Sequence, residues 1–103
     1  MAGKYENAVR KLFAKGWFDQ CRDYQDVYME VGATRTASAE FSVDRALIKM
    51  TDENLLWRVD SVEDDNLVDQ TGFKNVAKLT RAEAKQRTDV LEKMAKYKST
   101  GRM

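Results

Sequence analysis

Apolar positions along this chain keep helical spacing at both ends and lose it in the middle. Tyr5, Ala8, Val9 and Leu12 recur three or four residues apart, with Phe13 widening the stripe, which predicts a first helix over 4–15. Lys11 and Lys15 sit where cations suit the end of a helix dipole, and Gly16 is placed to stop it. The next run, 17–31, places Trp17, Cys21, Tyr24, Tyr28 and Val31 at alternating four- and three-residue steps. Asp19, Arg22, Asp23, Gln25, Asp26 and Glu30 take most of the other side. That is one face of a second helix, closed by Gly32, and the two helices are expected to form a hairpin. Cys21, Trp17, Tyr24 and Tyr28 are read as core residues of that stripe.

A small, polar stretch over 33–39 reads as a loop, and two readings compete after it. In one, Ser42 caps a short helix carrying Val43, Ala46, Leu47 and Met50, and Thr51 starts another with Leu55, Leu56, Val59 and Val62. In the other, Phe41 and Val43 alternate on one strand and Leu55, Trp57 and Val59 on the next, with a turn over 51–54. Capping residues at both starts tip the reading to helix. The stretch 63–75 has the Asp, Asn and Gly density of a loop, bent at Gly72 and pinned by Leu67, Val68 and Phe73.

Thr80 followed by Glu83 is a capping-box pattern, and nothing breaks a helix from there to about residue 97. Ala84, Val90, Leu91, Met94, Ala95 and Tyr97 form its apolar side, but its first two turns are almost wholly polar. That front half is therefore expected to project from the domain or to meet a partner, and 98–103 to fray. The expected fold is mainly α: one small domain over 1–103, with an N-terminal helical hairpin and a long C-terminal helix. The alternative is α+β with a β-hairpin within 39–62.

Composition narrows the chemistry more than the fold. Hydrophobic residues are 43% and charged residues 34%, enough apolar content for one core in 103 residues. One cysteine rules out an intrachain disulfide and suggests a reducing, cytoplasmic setting. The N-terminal residues lack the apolar region of a secretion signal, and no apolar run exceeds three residues, so no membrane span is expected. Without histidine, the commonest general base near neutral pH is absent, and Ser-His-Asp and Cys-His arrangements cannot be built. Zinc and iron–sulfur sites lack ligands, and no glycine-rich phosphate loop is present, so no cofactor is expected. Glu63, Asp64, Asp65 and Asp69 make the one dense carboxylate cluster, without the order of a calcium loop.

Charge is segregated along the chain. Residues 52–69 carry a net −6, residues 70–103 a net +6, and the whole chain +1. Opposite blocks favour oriented association. The expected function is a non-enzymatic protein–protein module, an adaptor, assembly subunit or small regulator. Its partner is another protein or a second copy. The partner-binding candidates are Arg81, Lys85, Arg87, Lys93 and Lys96 on the basic side and Asp60, Glu63, Asp64 and Asp65 on the acidic side. Trp57 is read either as core or as an interface anchor. The alternative is a nucleic-acid-associated protein using the basic segment 74–102, although acidic residues interrupt it and no aromatics are interleaved for base stacking.

Overall fold

The apolar stripe at 17–31 does not form one helix. In the computed structural model, which describes residues 3–60 and 72–100, α1 spans Lys4–Ala14 and is followed by a short 3₁₀ turn at Trp17–Asp19. Helix α2 begins only at Tyr24 and ends at Val31. Two interactions break the stripe, one local and one from far along the chain. Asp23 caps α2: its side chain accepts from the Asp26 N–H, and the Asp26 carboxylate accepts from the Asp23 N–H, at 2.9 and 3.1 Å. Just before it, Arg22 is drawn into a β-bridge with Phe73, its N–H donating at 2.9 Å and its C=O accepting at 2.7 Å. Backbone groups engaged across the fold cannot also serve a helix. Gly16 and Gly32 end their helices in the left-handed region, as their positions predict.

Both readings of the middle are half right. Residues 37–52 form a single helix, α3 (Ala37–Asp52), capped by Thr36, whose hydroxyl accepts from the Ala39 N–H at 3.0 Å. Ser42 is not a cap; it lies inside α3 and donates to the Ser38 carbonyl. Thr51 starts no second helix but sits in the last turn of α3, donating to the Leu47 carbonyl. The alternation at 55–59 does make a strand, β1 (Leu56–Val59). Its antiparallel partner is β2 (Gly72–Asn75), not 41–43, so most of the expected helix over 51–62 is absent. The expected loop over 63–75 is thus a strand at its far end, while Glu63, Asp64, Asp65, Leu67, Val68 and Asp69 lie outside the described residues. A 3₁₀ turn at Val76–Lys78 leads to α4 (Arg81–Thr100). The protein is mainly helical with a two-stranded antiparallel sheet. No described helix is long and apolar enough to cross a membrane.

The core lies between α1, α2, α3 and one face of the sheet. Val9, Phe18, Val27, Val43, Leu47, Met50 and Leu56 are fully buried there, with Phe73 and Tyr28 nearly so. Phe18, rather than Trp17, is the aromatic at its centre; Trp17 packs edge-on against it, centroids 5.0 Å apart, and stays half-buried. Tyr24 packs edge-on to Phe73 at 5.2 Å. The Tyr28 hydroxyl donates to Asp44, and burial together with that carboxylate pushes its pKa well above the ordinary tyrosine value.

Strand alternation sorts the sheet into two faces. Leu56 and Phe73 join the main core, whereas Trp57, Val59 and Lys74 point the other way, and Val59, though fully buried, is not part of that core. Gly72 makes this geometry possible. Its φ is +148°, and a Cβ there would meet the Arg22 carbonyl carbon at 2.6 Å and its oxygen at 2.7 Å. Gly72→Ala should therefore loosen the Arg22–Phe73 bridge and lower stability by about 2 kcal/mol or more in urea unfolding. Leu47→Ala, at a fully buried position of α3, should cost about 2–5 kcal/mol by the same measurement.

Candidate interaction surface

Helix α4 lies on the face of the sheet that carries Trp57, Val59 and Lys74, and its attachment is mostly polar. Glu83 is its one buried residue among those described, at 4% exposure. Its carboxylate accepts from Lys74 Nζ at 2.8 Å, and Lys74 itself is 8% exposed. Glu83 also closes the expected capping box, accepting from the Thr80 N–H at 2.8 Å while its own N–H donates to the Thr80 hydroxyl at 3.2 Å. One turn on, the Gln86 amide meets both backbone groups of Asp60, donating to its C=O and accepting from its N–H. Arg87 donates to the Asn54 side chain at 3.0 Å and stacks over Trp57, 5.8 Å from the ring centre.

This reverses one expectation. The polar front half of α4 docks, through charge and hydrogen bonds, and the half with the apolar residues stands clear of the body. Leu91, Met94 and Tyr97 are 39%, 52% and 78% exposed. They are not scattered. At about 100° per residue, Glu83, Arg87, Val90, Met94 and Tyr97 fall on one line of the helix. The line that docks onto the sheet thus runs on for about 15 Å beyond Arg87 as a largely uncovered apolar stripe. Leu91 widens it on one side, and Lys93 flanks it on the other.

The basic candidates take different places. Arg81, Lys85, Lys93 and Lys96 are all exposed; Lys93 borders the apolar stripe, and the other three lie on the side of α4 away from the sheet, with Asp89 and Glu92 interleaved. Arg87 does not join them; it is half-buried against Trp57. Asp60, from the acidic side, is exposed but its backbone is held by Gln86, so it meets α4 without pairing to a lysine. Glu63, Asp64 and Asp65 lie outside the described residues. The residue that sequence reasoning undervalued is Lys74. It opens the basic segment 74–102, yet it is the buried counter-ion of Glu83. Its alternation with Phe73 is too short a strand signal to reveal that.

Electrostatics around Glu83 follow from this geometry. Burial pushes its carboxyl up, but the Lys74 ammonium and the Thr80 amide and hydroxyl outweigh that and hold it below the ordinary carboxylate value. Half-buried Cys21, with Sγ 3.9 Å from Glu83, is shifted the other way: burial and then the neighbouring carboxylate raise its thiol pKa and keep it protonated. Two donors beneath α4 fare worse. Trp57 Nε1 and Arg87 Nε are buried with no acceptor among the described residues. Such groups typically cost about 1–3 kcal/mol each.

A concavity of about 560 Å³ lies between α1 and α3 beside Lys4, Glu6, Arg45, Lys49 and Asp52. Within it Lys49 pairs with Glu6 at 3.5 Å, and Glu6 in turn with Arg10 at 3.1 Å. No group of three or more metal-ligating side chains is clustered among the described residues.

A carboxylate with a depressed pKa stabilises the fold above its unfolded pKa, and that contribution is lost as pH falls through the folded value. The melting temperature should accordingly drop as pH falls below about 4.5, and Glu83→Gln should flatten that drop while lowering stability at neutral pH. Thermal unfolding across pH 3–7 reads both effects. No protein-family model, curated protein or solved structure matches this chain.

Proposed function

We propose that this protein is a non-enzymatic protein–protein interaction module whose working surface is the far half of α4. One observation carries the reading. An apolar stripe collinear with the docked residues of α4 continues past the body, with Met94 52% and Tyr97 78% exposed. Val90, Met94 and Tyr97 stand at i, i+4 and i+7, the spacing by which an amphipathic helix enters an apolar groove on another protein. Isolated exposed apolar residues need no explanation, but an ordered row of them on a helix that leaves its own domain is costly to keep without a use. Lys93 at the edge of the row suits an acidic rim on the groove. The absence of histidine from the sequence supports a binding role over a catalytic one.

The outward charges take a supporting part in this reading. Arg81, Lys85 and Lys96 keep the arm soluble and speed encounter with an acidic partner more than they tighten the complex. The nucleic-acid alternative would draw on the same residues. Asp89 and Glu92 lie within that face and dilute its potential, which favours a protein partner.

Met94→Glu with Tyr97→Glu should abolish the complex formed in an extract of the source cells, read as the mass of the co-purified assembly. Circular dichroism should stay unchanged, because both side chains are exposed. Arg81→Glu with Lys85→Glu should slow association yet leave the complex intact. A complex that survives the first pair of changes, or duplex DNA binding at low salt that is lost with the second, overturns the reading.

A further inference from the structure

The attachment of α4 balances two opposed sets of contacts. On the holding side stands the buried Lys74–Glu83 pair at 2.8 Å, helped by Gln86 on Asp60 and Arg87 on Asn54. On the opposing side, Trp57 Nε1 and Arg87 Nε are enclosed without an acceptor among the described residues. Helix α4 brings little apolar surface to the contact. Ala82 and Val90 are half-buried, and no apolar side chain of α4 is fully buried among those described. The connection before it is short and extended. Leu79 has φ −62° and ψ 138°, and the Thr80–Glu83 capping box belongs to the helix and would travel with it.

We propose that α4 moves between docked and lifted positions about Leu79, and that the Lys74–Glu83 ion pair holds it docked. Lifting then opens the face of the sheet carrying Trp57, Val59 and Lys74 to the partner. The movement gives the two unpaired donors access to water or to acceptors of the partner. It also releases Arg87, which lies on the same line of the helix as Val90 and Met94, and so lengthens the helix face available to a groove. The use of this movement in partner capture rests on the reading of α4 as a docking arm; the movement itself does not.

Amide hydrogen exchange on the isolated protein tests the movement without any partner. A lifted helix of this composition is marginal by itself, so its amides exchange once it leaves the sheet. In the wild type, amides at 84–90 should exchange faster than those at 43–50 in α3. Lys74→Met leaves the Glu83 charge buried and unpaired. It should speed exchange at 84–90 on the order of 100-fold or more, with α3 unchanged. Glu83→Gln keeps an acceptor for the capping box and should give a smaller acceleration in the same segment, which covers the case that Lys74→Met fails to fold. Acrylamide quenching of Trp57, read in a Trp17→Phe background, should rise with Lys74→Met. Unchanged exchange at 84–90, or equal acceleration in α3, overturns the proposal by making the pair either idle or a support of the whole fold. Faster exchange with Trp57 still shielded overturns the opening of the sheet face. Neither result bears on the Met94 and Tyr97 variants, so failure of the arm reading would be seen separately.

Discussion

The approach of β2 to the segment before α2 is the constraint from which the rest of the structure follows. Because Gly72 has no side chain, its backbone can lie against the Arg22 carbonyl, and the Arg22–Phe73 bridge can form. That bridge stops the helix that the aromatic stripe would otherwise continue. It also sets Phe73 against Tyr24 and fixes which face of the sheet joins the core. The other face, with Trp57, Val59 and Lys74, is thereby left for α4. A single backbone contact near the start of α2 thus decides where the last helix can rest.

On that second face the chemistry differs from the core. The main cluster is held by Phe18, Leu47, Met50 and Leu56, apolar side chains packed without polar atoms to satisfy. Beneath α4 an ammonium, a carboxylate, a guanidinium and an indole N–H must all find partners, and two donors have none among the described residues. Buried ion pairs add little net stability but are expensive to break by halves. Such a contact specifies one docked position for α4 without binding it as firmly as the α1–α3 packing, and it leaves Met94 and Tyr97 exposed beyond half-buried Val90.

Much of this was readable from spacing alone, and the misses have physical causes. Tyr5 to Leu12 gave α1 its bounds, Gly16 and Gly32 their stops, and Thr80 with Glu83 the start of α4, because each signal is local. The stripe from Trp17 to Val31 misled because its period continued through Arg22, whose backbone is claimed by Phe73, 51 positions along the chain. Asp23 and Asp26 offered a local warning, a capping box built from two aspartates in place of the commoner Thr and Glu. At 37–59 the helix and the strand were both present in the pattern. The strand partner was not, since antiparallel pairing across a long connection leaves no trace in periodicity. The polar front of α4 is expected to project or to meet a partner because hydrophobicity cannot announce an ionic contact within the chain. The surface candidates Arg81, Lys85, Lys93 and Lys96 were legible as exposed cations; that Arg87 would turn inward onto Trp57 was not.

The Gln86 amide has a consequence beyond holding α4. It bonds to both the N–H and the C=O of Asp60, just past the end of β1, in the two-way manner of a neighbouring strand. Among the described residues β1 has a strand neighbour, β2, on one side only, so its outer row of backbone groups would be a template for adding further strands from other molecules. A side-chain amide here imitates the missing neighbour and ends the ladder, so the helix that reaches outward also guards this two-stranded ribbon against aggregation.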